Sequence, residues 1–244
     1  MATGRIRAER EARILRAAER VFARHGLAGA TMAAIADEAG LPRANLHYYF
    51  RDKATLHRAL LADTLERWLA GTDLIRPEND PREALAHYVR EKMRWSRERP
   101  EASRVFADAL LHDADVIEDM LSGALRALVD RKAAVIDGWI AAGRMAPLDA
   151  RHLFFTIWAA TQTWADFAPQ IRAVLGVDGI DAALHARATE DLVAFLLRGC
   201  GLDATAGDTV PARPDTASRP PHPARPRPRR STSPAHSHAK EAAP

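Results

Sequence analysis

The stretch TMAAIADEAGLPRANLHYYFRDKATL, Thr31 to Leu56, decides the fold of this chain. It reads as two short helices joined through a glycine. Thr31 opens the first as an N-cap, because its hydroxyl can accept from the exposed amides of the first turn. Gly40 ends that helix, and Pro42 starts a second that runs toward Phe50. Two helices at this spacing fit a helix-turn-helix. Where such helices cross closely, the first needs a small residue facing the second, and Ala36 supplies it. The turn needs a residue that tolerates positive φ, and Gly40 follows four positions later. Ile35 and Leu46 are placed to pack across the crossing, and Tyr49 and Phe50 to anchor the unit to its neighbours. The same spacing also suits a plain αα-corner inside a helical core, and spacing alone leaves the two open.

If the unit reads DNA, its second helix lies in the major groove and presents Arg43, Ala44, Asn45, His47 and Tyr48 outward. Arg43 can reach a guanine edge, His47 can donate or accept, and Ala44 can touch a thymine methyl. Thr31, Tyr48 and Lys53 suit phosphates, which fix register rather than sequence.

Charge favours the DNA reading. The net charge of +3 over 244 residues hides three zones: residues 1–57 carry +4, residues 58–202 carry −4, and residues 203–244 carry +3. A basic segment gains affinity for polyanions by releasing their counterions. The one cysteine, Cys200, excludes a disulfide framework and a Cys-based zinc site. No run approaches the ~18 apolar residues of a membrane span. The basic N-terminus lacks the apolar core of a secretory signal. A cytoplasmic protein with no membrane partner is the expectation.

Outward from the motif, the chain reads helix after helix, and the fold class is all-α. A stripe of Ile14, Ala17, Ala18, Val21 and Phe22 precedes the motif and stops at Gly26. Asp52 can cap a helix to about Ala70, and Asp80-Pro81-Arg82-Glu83 has the composition of a helix start. Further helices are expected from there to Arg99, from Pro100, from Val116 to Met145 as one piece, from Asp149 to Phe167, and from Ile180 to Arg198. Trp95, Trp139, Phe154 and Phe155 read as core. After Leu202 the composition shifts to Pro, Ser, Ala and Arg, which cannot bury enough apolar surface to order itself. The expected organisation is a three-helix head over residues 1–51, a larger helical body over 52–202, and a disordered tail over 203–244.

The motif "YYF-R-DK--L", Tyr48 to Leu56, resembles the DNA-binding signature of the TetR family of bacterial transcription regulators. That resemblance implies an all-α homodimer whose N-terminal heads read double-stranded operator DNA. Its body binds a small effector and dimerises through its last two long helices, and the effector usually releases the repressing form. The body stretches WSRERPEASRVFADAL (Trp95 to Leu110) and HLFFTIWAATQTWADFAPQIRAVLG (His152 to Gly176) are similar to the Rut-type pyrimidine-utilisation subgroup, which responds to uracil and thymine. In that subgroup a planar base sits near an aromatic and an amide. Carried over by motif position, the effector residues are Trp158 and Gln162, with Trp68 at the end of the fourth helix.

The residues themselves are compatible with this. Trp158 and Gln162 are four apart and share a helical face. An indole is a flat apolar wall, and a primary amide offers a donor and an acceptor to match the edge of a lactam. The plainer alternative is core packing with an exposed amide. The resemblance also makes the fourth helix, with Trp68 at one end and Lys53 at the other, a lever between pocket and head. For the dimer, Leu153, Phe154, Ile157, Leu184, Leu192, Val193, Phe195 and Leu196 on the last two helices are the candidates. No glycine-rich phosphate loop, G-x-S-x-G elbow or H-E-x-x-H helix is present, so an enzyme and a bound cofactor are not expected. His112, His152 and His185 lie on separate helices without metal spacing. The open alternatives are a different small effector in the same family, or a helical adaptor for a protein partner.

Overall fold

The computed structural model describes residues 2–202, and every regular element in them is helical. The elements are α1 (Ala2–Gly29), α2 (Met32–Ala39), α3 (Arg43–Tyr49), α4 (Lys53–Ala70), α5 (Pro81–Glu98) and α6 (Pro100–His112). They continue with α7 (Ala114–Met120), a π-helical turn (Leu121–Leu125), α8 (Arg126–Ala141), α9 (Ala150–Asp166), α10 (Ala168–Leu175) and α11 (Ala182–Gly199). Among the described residues no helix is long and apolar enough to cross a membrane. The expected tail, residues 203–244, lies outside the described residues.

Short polar side chains set the helix starts. Thr31, Asp52, Asp80, Asp149 and Asp181 each accept from backbone amides of the first turn of α2, α4, α5, α9 and α11. Asp52 takes the Thr55 amide at 2.7 Å, and that hydrogen bond is the main reason its carboxyl is held down at about 2. Gly26 breaks α1 with φ 65°, where the apolar stripe ends.

Two apolar cores organise the chain. The first joins α1, α2, α3, α4, α6 and α7 through residues such as Ile14, Ala18, Ile35, Leu46, Leu60 and Phe106. The second joins α5, α8, α9 and α11 through Tyr88, Met93, Ile136, Trp139, Phe154 and Val193. So the head does not float on a linker. Its core runs without a gap into α4 and α6.

The structure corrects several expectations. The single helix expected over 116–145 is interrupted by the π turn and ends at Ala141, with Gly143 at φ 68°. The Arg126 amide reaches back five residues to Leu121 O, the hydrogen bond of a π turn. Pro169 stands in the first turn of α10, where a missing N–H costs nothing. The apolar residues named for the dimer mostly face inward. Leu153, Phe154, Ile157, Val193 and Leu196 belong to the second core, Leu184 and Leu192 are half-buried, and of the residues named Phe195 is left outside, 66% exposed; Phe155 on α9 is 54% exposed. Phe155 was expected in the core. Trp95, expected there too, is half-buried under Arg94.

Candidate DNA-reading face and ligand cavity

The head is built by packing α2 onto α1 and hanging α3 from the turn. Glu38 on α2 accepts from Arg20 at 2.6 Å and Arg24 at 3.0 Å, both on α1. The Arg20 hydrogen bond is the larger cause of its lowered carboxyl pKa. Gly40 adopts φ 61° and donates its N–H to Ala36 O and Asp37 O, closing α2. Ala36 and Ile35 are buried, and Leu46 meets them from α3. Burying Leu46 and Phe50 turns the other face of α3 outward. Arg43, Ala44, Asn45, His47 and Tyr48 are all exposed, Tyr48 at 72%. His47 Nδ1 lies 3.1 Å from Arg51 O. With Nδ1 as the donor, Nε2 is an outward acceptor.

Of the three residues expected on phosphates, Thr31 and Tyr48 are exposed, and Thr31 uses its oxygen to cap Ala34 N at 3.1 Å. Its hydroxyl proton remains to donate. Lys53 is a correction. Its ammonium donates to Leu27 O, Ala28 O and Ala30 O at 2.5, 3.1 and 2.9 Å. An ammonium has three protons, so none is left for a phosphate. Lys53 closes the end of α1 onto the start of α4.

The three effector candidates come together. Trp68 from α4 and Trp158 and Gln162 from α9 line one cavity of about 260 Å³, with Tyr88 and Lys92 from α5 and Phe106 from α6. Leu121 and Leu125 of the π turn line it as well. The cavity lies on the seam of the two cores: Leu65 and Phe106 belong to the first, Tyr88 to the second, and Leu125 packs against both. Trp158 Nε1 donates to Tyr88 Oη at 2.7 Å, which fixes the indole as a wall. Burial pushes the Tyr88 phenol far up, so it stays protonated. Gln162 is half-buried and makes no side-chain hydrogen bond among the described residues, so its donor and acceptor are both free. A small space with apolar walls and a few convergent polar groups is the usual form of a ligand site.

Sequence reasoning missed Lys92. It is 4% exposed, and its Nζ sits 3.8 Å from the centre of the Trp68 ring. Burial lowers its pKa to about 7, with Asp166 pulling the other way. A signal existed: Lys92 falls at helical spacing with Leu85, Val89 and Met93 on the buried face of α5, so a lysine stands in an apolar stripe.

The cavity connects to the head. Trp68 also lines a crevice with Arg99 and Ala102, and Arg99 forms a buried ion pair with Glu19 of α1. The Ala102 amide donates to the same carboxylate at 3.2 Å.

Residues 14–60 match the bacterial regulatory proteins of the tetR family, and residues 61–203 match the C-terminal region of YcdC-like proteins. The HTH-type transcriptional regulator RutR of Escherichia coli K12 is 40% identical over 186 residues, 76% of this chain and 88% of that protein. The HTH-type transcriptional regulator TtgR of Pseudomonas putida is 32% identical over 135 residues, 53% of this chain and 60% of its own. The solved structure of SCO4942 from Streptomyces coelicolor superposes with a TM-score of 0.57 at 26% identity, covering 77% of this chain and 96% of that one.

Proposed function

The chain belongs to the TetR family of bacterial transcription regulators, and on that premise we propose that it is a repressor released from its operator by a planar lactam such as uracil or thymine. The ligand lies between Trp68 and Trp158, with its donor–acceptor edge on Gln162. Two chains pair through α9 and α11, around the outward side chains of Phe155 and Phe195. A twofold dimer of this kind meets a pseudo-palindromic site with half-sites about one helical turn apart. Arg43, Ala44, Asn45 and His47 read base edges, while Thr31 and Tyr48 hold phosphates.

One observation carries this reading: the cavity lies on the seam between the core that holds the head and the core that holds the rest of the body. A ligand wedged there acts on the packing of one core against the other. Trp68 touches both the cavity and the crevice beside Arg99, so a shift of that ring reaches Glu19 on α1. The effector must bind the released form more tightly than the DNA-bound form, since equal affinity shifts nothing.

The test is thermal shift of the full chain against uracil, thymine and related lactams. A ligand of the folded form raises the melting temperature by mass action. A rise with uracil or thymine supports the reading, and silence across the panel overturns the pyrimidine assignment. A gel shift with the protein's own upstream DNA over a salt series tests the DNA contact, which weakens steeply with salt if several phosphates are neutralised.

A further inference from the structure

Lys92 is the least explained side chain in the cavity. It stands on α5 one turn after Tyr88, 4% exposed, among aromatic and leucine walls. Its ammonium rests on the Trp68 ring at 3.8 Å and makes no hydrogen bond or ion pair among the described residues. The charged group that acts on it is Asp166 of α9, half-buried, beyond ion-pair distance and itself pushed up by burial. Asp166 Oδ1 finds no hydrogen-bond partner either. The α4, α6 and π-turn walls offer Lys92 only apolar and aromatic side chains. A buried ammonium whose one contact is a ring face has donors still to fill, and leaving them unfilled is costly. An oxygen brought by a ligand would fill them, and a charge-assisted bond is among the stronger hydrogen bonds available.

We propose that Lys92 determines specificity in this cavity by taking planar rings that present an oxygen acceptor, with an oxyanion preferred over a neutral carbonyl. This rests on the reading that the effector occupies the Trp68–Trp158 cavity. The two aromatic walls set the flat shape, Gln162 reads one edge, and Lys92 reads the charge on another. Rings of equal shape are thereby separated by what they place at the ammonium.

The test is titration calorimetry of the full chain and of Lys92→Met and Lys92→Arg at pH 7. The probes are uracil, barbiturate (a similar ring carrying an anionic oxygen) and benzoate (a planar anion that is no pyrimidine). The wild type is expected to bind barbiturate more tightly than uracil. Lys92→Met is expected to lose roughly 10- to 100-fold for barbiturate and to abolish the preference, the range for one hydrogen bond to a charged group. Lys92→Arg is expected to keep part of the preference. A melting temperature at or above that of the wild type shows that Lys92→Met is folded. Unchanged barbiturate affinity in that variant overturns the role of Lys92 and leaves the pyrimidine reading standing. Benzoate binding that depends on Lys92, with both pyrimidines silent, supports Lys92 and overturns the pyrimidine reading. Silence of all three probes on the wild type overturns both.

Discussion

Arg99 Nε donates to both carboxylate oxygens of Glu19, at 3.0 and 2.7 Å, and both side chains are buried. Glu19 belongs to α1 in the head and Arg99 to the corner between α5 and α6, so one ion pair joins the two parts. Arg99 also faces the crevice behind Trp68. Removing one partner of a buried pair leaves the other charge unpaired. Glu19→Ala is therefore expected to lower unfolding stability by about 3 kcal/mol. Denaturant titration checks this. A loss within the range of ordinary surface changes, about 0.5 kcal/mol, would mean that the pair does not hold head to body.

Arg43 and Lys53 should separate under mutation, although both are basic residues of the head. Arg43 is exposed, so Arg43→Ala is expected to leave the melting temperature unchanged and weaken operator binding by about 1–3 kcal/mol. Lys53→Ala strips three carbonyls of their donor. It is expected to cost about 2 kcal/mol of folding stability and to leave the salt slope of DNA binding unchanged. Melting curves and fluorescence anisotropy over a salt series report the two effects. A smaller salt slope with intact stability would return Lys53 to the phosphates.

Much of this architecture is legible in the sequence because capping and periodicity are local. Thr31, Gly40, Asp52, Asp80 and Asp149 announce their helices without help from distant residues. What stays hidden depends on partners far along the chain. Lys53 is an ordinary surface lysine until the Gly26 break brings the end of α1 to it. Phe154 and Phe155 look alike in sequence, yet Phe154 is buried and Phe155 exposed, because only the packing of α9 on α5 decides which side faces in. Lys92 counts as polar in any hydropathy pattern, although α4 and α9 enclose it.

Stability should depend on pH through Lys92. Burial lowers its pKa from 10.5 to about 7, so the unfolded chain binds more protons at this site between those values. Stability from this group therefore rises as pH rises through that window and is lost as pH falls. Lys92→Met removes the cost, and a gain of about 4 kcal/mol is expected at pH 7, shrinking toward pH 10. Denaturant unfolding of both proteins at several pH values measures the difference. A constant gap across the window would contradict a buried, titrating lysine.

Phe195 is 66% exposed on α11 and adds little to the fold of one chain. Phe195→Glu is expected to keep the monomer's stability within about 0.5 kcal/mol and to split the dimer. Sedimentation velocity checks the mass, and a variant that still sediments as a dimer would place the interface elsewhere.

The most direct test of the account follows DNA and ligand together. Labelled DNA from upstream of the protein's own gene is bound by the wild type and by Gln162→Ala, and anisotropy is read as uracil is added. The account predicts that uracil weakens wild-type binding at least about tenfold, some 1.4 kcal/mol of coupling, and has far less effect on Gln162→Ala. Wild-type affinity that uracil leaves unmoved, at concentrations that saturate the cavity, would contradict it.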